Sequence, residues 1–420
     1  MSVNTAAESS PTGATPFNPL ENRQFLQLMV YRIFTMLSYQ MVAVTVGWQI
    51  YSLTRNTFAL GTIGLAEVVP YLITAPFAGY LVDILRRRVL GMWCCVILAL
   101  TPLLLLLATT GTIGVKGTWF FYFAIALGGC VRSFLGPIYN ALFAQILARE
   151  HFVRGASFGA VVFQTGLVLG PALAGAVVAK LGIPTAYAMA CTFAVIAAIA
   201  VRTLQVGERP TPAKRPPIFA SILEGGKFVW GHQILLGAMA LDMFAVLFGG
   251  AISMLPAYIK EVLELGPEAF GMLRAAPALG SVIMALWLAR NPLDRNAGRI
   301  LLFAVAGFGL CWSAFALSKL LWLSALILVV SGLCDGISVV LRSTIMQLST
   351  PDEMRGRVSS INGIFIGSSN ELGAFYAGSM AGLLGLLPAM FIGGIVTVCV
   401  VLVTAYRAPK LRNLNLSDLN

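Results

Sequence analysis

Three observations predict an all-α membrane fold, twelve spanning helices in two pseudo-symmetric six-helix bundles. The chain is 58% hydrophobic and 11% charged, with a mean hydropathy of +0.85, whereas soluble domains carry about 25% charged residues. Apolar runs of bilayer length, about 20 residues, recur along nearly all of its 420 residues. A proline-rich basic stretch, ERPTPAKRPP at 208–217, divides these runs six and six.

The elements follow in order. Residues 1–22 are polar, rich in Ser, Thr, Pro and Ala, and lack the apolar stretch of a signal peptide; a disordered cytoplasmic tail is expected there. The first bundle (23–204) holds spans near 25–53, 60–83, 89–110, 118–147, 152–180 and 184–204. They are parted by Arg55-Asn56, by Arg86–Arg88, by the glycines and lysine of 111–117, by Arg149-Glu150, and by Gly182 with Pro184. The linker (205–232) ends in an amphipathic piece, FASILEGGKFVW, that reads as an interfacial helix. The second bundle (233–407) has spans near 233–262, 268–290, 298–318, 320–349, 356–385 and 388–407. Gly266-Pro267, the basic run through Arg295, Lys319, PDEMR at 351–355 and Gly385 with Pro388 part them. Residues 408–420 form a short cytoplasmic C-terminal tail.

Charge sets direction. With the N-terminus inside, 19 of the 28 basic residues fall at cytoplasmic ends and loops and 5 on the other side, the positive-inside pattern. The formal charge of +11 is thus scattered over short loops facing one leaflet, which excludes nucleic acid as a partner. The seven cysteines all lie in apolar runs without a CxxC pair, and the two histidines, His151 and His232, stand alone. No metal or cofactor is implied.

The halves resemble each other. An offset of 203 lays 154–175 over 357–378, matching Arg154 with Arg357, Gly170 with Gly373 and Gly175 with Gly378. An offset of 207 lays GLAEVVP (64–70) over GMLRAAP (271–277). Duplicated bundles around a central cavity are a common build for secondary transporters.

Between spans two and three stands GYLVDILRRR, with Gly79 and Asp83 ahead of Arg86, Arg87 and Arg88. This resembles the G-x-x-x-D-R-x-G-R-R loop of the major facilitator superfamily, with Ile84 in place of the first arginine and a degenerate middle. The resemblance implies that Asp83 latches the cytoplasmic gate against the start of span eleven, near Arg355–Arg357. In span five, Gly166-x-x-x-Gly170-Pro171-x-x-Ala174-Gly175 is similar to the antiporter motif G-x-x-x-G-P-x-x-G-G, which in the family marks exporters; as bare chemistry it is also a GxxxG packing face. The helix 1–2 turn and the entries to helices 7 and 11 look like the branch that includes the enterobactin exporter and macrolide efflux proteins. The family implies a monomer, a small-molecule substrate, protons as the coupling ion and the bacterial inner membrane as the site.

Eight ionisable residues lie within the spans: Arg32, Glu67, Arg132, Asp242, Arg274, Asp335, Arg342 and Glu371. A charge at the bilayer centre costs about 2.5–3.5 kcal/mol on insertion scales, so each should face a partner or an aqueous cavity. Glu67, Asp242, Asp335 and Glu371 are the candidates for proton coupling. Glu67 and Arg274 are repeat mates at the offset of 207, and Arg132 and Asp335 at 203. Because helices 1 and 7 meet between the bundles in the family, Arg32 and Asp242 are expected to pair. Arg132 and Arg342 would attract an anionic substrate such as a catecholate or carboxylate chelator. No P-loop or catalytic triad is present, so an enzyme is not indicated. The expected function is proton-coupled export of a small molecule, a siderophore first and drugs second, against import or uniport of a nutrient and against a non-transporting sensor or scaffold.

Overall fold

The structure, a computed structural model, describes residues 21–114, 117–148, 151–206, 218–249, 251–291, 293, 295–351 and 354–419. The expected tail up to residue 20, the middle of the linker at 207–217 and the Asp83 side chain lie outside the described residues.

The loops that part the apolar runs also cap the helices. Asn22 opens α1 (Arg23–Thr54) by accepting from the backbone N–H groups of Gln24 and Phe25 at 3.0 and 3.1 Å, which satisfies two of the four donors a helix start leaves bare. Arg55 closes it in the left-handed region at φ 51°, and Asn56 caps α2 (Thr57–Ile84) through the Phe58 N–H at 2.8 Å. Four helices complete the first bundle: α3 (Arg87–Thr109), α4 (Trp119–Ile146), α5 (Phe152–Leu181) and α6 (Ile183–Arg202). The linker helix α7 (Ile218–Gly231) leads to α8 (Gln233–Gly249), a 3₁₀ turn (Ala251–Met254), α9 (Leu255–Tyr258) and a π turn (Ile259–Leu263). Together these last four form one broken span, interrupted beside Gly249 and Pro256, where proline removes a ladder donor. The second bundle continues with α10 (Pro267–Arg290), α11 (Ala297–Leu317), α12 (Leu321–Leu348), α13 (Arg355–Leu384) and α14 (Leu386–Arg407). A short α15 (Pro409–Arg412) and a 3₁₀ turn (Leu416–Leu419) fold back, so that Leu411 is fully buried and the Gly298 N–H donates to the Leu414 carbonyl at 3.1 Å.

Among the described residues eleven helical segments are long and apolar enough to cross a membrane, and no strand is present. The twelfth expected span, α13, is 30 residues long but too polar to qualify by composition. It packs on α2, α8 and α14; Ser369 is buried, Glu371 bonds to Arg132, and Asn362 and Asn370 line the cavity between the bundles.

The core shows how the bundles meet. In the half remote from the linker, one hydrophobic cluster runs through both bundles, from Met41 and Tyr51 to Tyr258, Phe270 and Ala377. Toward the linker the bundles have separate cores, around Tyr31 and Leu142 in the first and around Leu241 and Leu341 in the second. The molecule is fused at one face, called here the opposite face, and parted at the linker face.

Two glycine crossings make the fusion. A Cβ on Gly175 would lie 2.6 Å from the Cα of Gly271, and a Cβ on Gly378 would lie 2.6 Å from the Cα of Gly61. These place α5 against α10 and α2 against α13 with backbones touching, as small residues allow. The same contacts fix the internal repeat. Gly129 abuts the Glu67 carbonyl as Gly332 abuts the Pro277 carbonyl, so α4 and α12 correspond at 203 but α2 and α10 at 210. Glu67 is the mate of Pro277, and Arg274 of Gly64. The sequence offset of 207 is therefore three residues short, which is about 4.5 Å along a helix; Gly61 and Gly64 stand three residues apart in α2, so either can be laid over Gly271.

The span-five motif is explained by packing. Gly166 and Gly170 admit Met36 and Gln40 of α1, whose Cβ atoms would lie 2.8 and 2.6 Å from an added Cβ, while Pro171 and Gly175 face Gly271. At the linker face Arg87 and Arg88 donate to the carbonyls of Val82 and Leu204, at 3.4 and 2.9 Å. Both arginines thereby close helix ends within the first bundle. The α7 helix lies on α13 through Gly225 and an ion pair between Glu224 and Arg357, leaving Leu223 and Trp230 exposed at 61% and 77%.

Candidate functional site

Between the parted bundles lies a cavity of about 780 Å³ that reaches from Leu235, Met346 and Asn362 near the linker face to Tyr39, Arg132 and Glu371 at mid-height. Most of its wall is apolar, with Phe163, Phe308 and Trp312 among its larger faces. Seven of the eight predicted intramembrane charges meet in two clusters, one at its closed end and one on its wall.

The first cluster spans the two bundles. Arg132 of α4 donates from one guanidinium nitrogen to Glu67 of α2 at 2.8 Å and to Glu371 of α13 at 2.5 Å. It also lies 5.5 Å from the ring centres of Tyr39 and Tyr71, within range of a cation–π attraction. The Tyr39 hydroxyl donates to Glu67. Arg274 of α10 faces the same space, lining the cavity beside Tyr39 and Glu371, and has no hydrogen bond or ion pair among the described residues. Two acids and two guanidiniums balance here, and one of those guanidiniums is the bridge that ties the bundles.

The second cluster lies within the second bundle. Asp242 of α8 pairs with Arg342 of α12, whose Nε donates to the Ser338 carbonyl at 3.2 Å. Asp335, about two turns earlier on α12, accepts from Ser281 at 3.4 Å. The cluster thus holds two acids and one guanidinium, which pairs with Asp242. The expected pairing of Arg32 with Asp242 is not made. Arg32 lies 3.7 Å from the Tyr139 ring centre and 5.2 Å from that of Phe163, inside its own bundle, and Asp242 pairs with Arg342. Position along the sequence does not say which way each helix turns its charge.

Removing one member of a buried pair is far costlier than removing both, because it strands a charge. Arg342→Leu is therefore expected to destabilise by about 3–5 kcal/mol, and Arg342→Leu with Asp242→Asn to regain most of that loss. Thermal unfolding of the detergent-solubilised variants checks it.

At the opposite face a third set of polar contacts escaped the sequence reading. Tyr51 donates to Glu261, and Lys260 donates to Ser52 and lies 4.5 Å from the Trp48 ring centre, while Trp48 stacks on Phe270 at 5.8 Å. All join α1 to the π turn or α10. Lys260 reads in the sequence as a loop charge; only the fold shows that it latches one bundle to the other. Tyr39 carried no signal either, since a lone tyrosine in an apolar run is ordinary. Lys260→Ala with Glu261→Ala should loosen this face, seen as at least about threefold faster thiol labelling of a cysteine placed at Ile63, as expected for loss of about 1 kcal/mol of cross-bundle bonding.

A family model described as Major Facilitator Superfamily matches residues 28–374 and, in a second overlapping match, 253–416. The chain is 27% identical over 392 residues to the multidrug efflux pump Tap of Mycolicibacterium fortuitum, covering 88% of this chain and 92% of that one. It is 26% identical over 349 residues to the enterobactin exporter EntS of Salmonella typhi, covering 80% of each. Among solved structures, a bacterial homologue of the human lysosomal transporter Spinster, inward-facing and unoccupied, superposes with a TM-score of 0.73 over 94% of this chain and 99% of its own, at 12% identity. The D-xylose–proton symporter does so at 0.72 over 93% and 99%, at 11% identity. At these identities the superpositions speak for the fold.

Proposed function

The chain belongs to the major facilitator superfamily, a multi-pass membrane transporter, and from that premise we propose that it exports a bulky, largely apolar small molecule in exchange for protons. The observation that carries the reading is the wedge-shaped cavity, open toward the linker face and stopped at mid-height by an ion bridge tying the two bundles. The positive-inside distribution supports the linker face as cytoplasmic, so the cavity would load from inside the cell. Export then requires the bundles to rock about the bridge, parting the glycine crossings and the Tyr51–Glu261 and Lys260–Ser52 contacts.

Coupling to protons follows from the bridge. A proton delivered to Glu371 removes the negative charge that holds Arg132 of the first bundle to the second, and the bundles lose their cross-tie. A ligand or proton can bias such an equilibrium only by binding one state better than the other, and a carboxylate shared between bundles does so by construction. Asp242 and Asp335 are second candidates, within one bundle.

Charge balance bears on the substrate. Arg132 and Arg342 both already hold carboxylates, so neither is a bare anchor for a polyanion, and Asp335 is left with a hydroxyl partner. A neutral or weakly basic amphiphile over Phe163, Phe308 and Trp312 fits this lining best, in line with the multidrug relative. Export of an anionic siderophore is the second reading, favoured by Arg274, whose guanidinium has no bonded acid, and by the enterobactin exporter among the relatives.

Everted membrane vesicles energised by a proton gradient test direction and coupling: dye or drug uptake that collapses with a protonophore supports export, and gradient-independent equilibration would establish uniport instead. Mass spectrometry of medium from wild-type and deletion strains under iron limitation separates the substrates. Intracellular accumulation of a chelator in the deletion strain would select the siderophore.

A further inference from the structure

Above the ion bridge, in the fused half, is a second and much smaller cavity of about 100 Å³. It is lined by Val46 and Gly47 of α1, Leu60 and Ile63 of α2, Ser253 and Pro256 of the broken span, and Phe270 of α10. Its floor is the bridge itself: Glu67, Arg274, Glu371 and Tyr39 line it, and the last three of these also line the large cavity below. The charged cluster is therefore a septum between two spaces, one between the parted bundles toward the linker face and one within the fused half.

The small cavity is polar where it needs to be to hold water. The Ser253 hydroxyl is buried with no hydrogen-bond partner among the described residues, and buried hydroxyls are rarely left so. It stands on the 3₁₀ turn that interrupts the broken span, the kind of irregular backbone that membranes tolerate where it lines a wet cavity. The space is large enough for water, and the Ser253, Glu67, Glu371 and Arg274 side chains that line it supply the polar partners that bound water needs. It is far too small for a substrate that fills the lower cavity. Toward the opposite face α1 and the π turn carry Tyr51, Ser52, Lys260 and Glu261, with Trp48 lying against Lys260 and Phe270.

We propose that this pocket is a water site and the proton's own entrance: protons reach Glu371 and Glu67 from the opposite face through ordered water while that face stays closed to substrate. The inference rests on the proton-coupled reading above. The groups facing Glu371 are Arg132 from α4, Arg274 from α10, Tyr39 from α1 and Glu67 and Tyr71 from α2; Asp242, the acid of α8, is engaged by Arg342. A water chain hands one proton to a Glu371 oxygen, the Arg132 bond to that oxygen loosens, and the proton later leaves from the same carboxyl into water of the large cavity. Substrate and proton thus use opposite sides of one septum.

The test uses the reconstituted full-length protein. Hydroxyl-radical footprinting of the wild type, which oxidises side chains beside bound water, is expected to mark Val46 and Phe270; their protection would show a dry pocket and overturn the proposal. Val46→Phe fills the space, and Ser253→Ala removes the orphan hydroxyl. Proton-driven export should fall about tenfold in the first and about threefold in the second, while substrate binding from the linker face and substrate-for-substrate exchange without a gradient stay within about twofold. Unchanged proton-driven export in a folded Val46→Phe protein would overturn it. Wild-type export indifferent to the proton gradient would sink the coupling itself, and this route with it, whatever the footprint.

Discussion

Arg132→Ala is expected to abolish proton-driven transport, by at least about a hundredfold, and to weaken the protein's fold at the same time. The reason is its position in the bridge. One guanidinium nitrogen holds Glu67 of the first bundle and Glu371 of the second, and both acids are largely shielded, with side-chain exposures of 9% and 16%. Truncation leaves two carboxylates facing each other with Arg274 as the nearest cation, and breaking a buried pair in this way costs about 3–5 kcal/mol. The bond between the bundles is then absent whether or not Glu371 carries a proton, so the proton no longer changes what ties them. Arg132→Lys separates charge from geometry. Its ammonium is a point donor on a flexible stem rather than a planar fork, and it should restore stability while recovering only part of the transport. Flux in vesicles and thermal unfolding, measured on the same preparations, decide it. A stable Arg132→Ala protein with unaltered proton-driven flux would remove the bridge from the mechanism.

The sequence made the architecture legible because the bilayer makes it so: a chain with few charges, bilayer-length runs and basic residues biased to one side leaves little choice of topology. It also picked out the charges inside the spans, since each of them needs a partner or a wet cavity, and seven of the eight come together in two clusters. What it could not give was partnership. Arg32 and Asp242 sit at matching depth on helices that meet, yet each turns to another neighbour, because the rotation of a helix about its own axis is set by packing against several others. The repeat offset failed for a related reason. GLAEVVP and GMLRAAP align at 207 on a glycine and a proline, whereas the backbone contacts of Gly129 and Gly332 show that the helices correspond at 210. The broken span was read as one continuous helix, and with that the Ser253 hydroxyl, the π turn and the latch of Lys260 and Glu261 were out of view.

The glycine crossings give the second large effect. Gly175 and Gly378 occupy equivalent places in the two repeats, and a Cβ on either would approach the backbone of the facing helix at 2.6 Å. Backbone cannot step aside as a side chain can, so Gly175→Ala or Gly378→Ala penalises this conformation by the typical overpacking cost, about 1–3 kcal/mol. Under alternating access the crossings separate when the opposite face opens, and there the added methyl meets no backbone. A penalty on one state alone shifts the equilibrium by about 5- to 150-fold, so each single methyl should drive the protein toward the form open at the opposite face, and the two together further still. Labelling of a cysteine placed at Ile63 by a membrane-impermeant maleimide, above the background of the native thiols, reports that opening. Gly363→Ala is the control, because a Cβ there meets nothing within 4 Å. Faster labelling in the crossing variants alone would establish that the shut half is held by backbone contact. Equal labelling in all three would mean that the glycines serve only close packing, and that the charge bridge and the opposite-face latch decide which side is open.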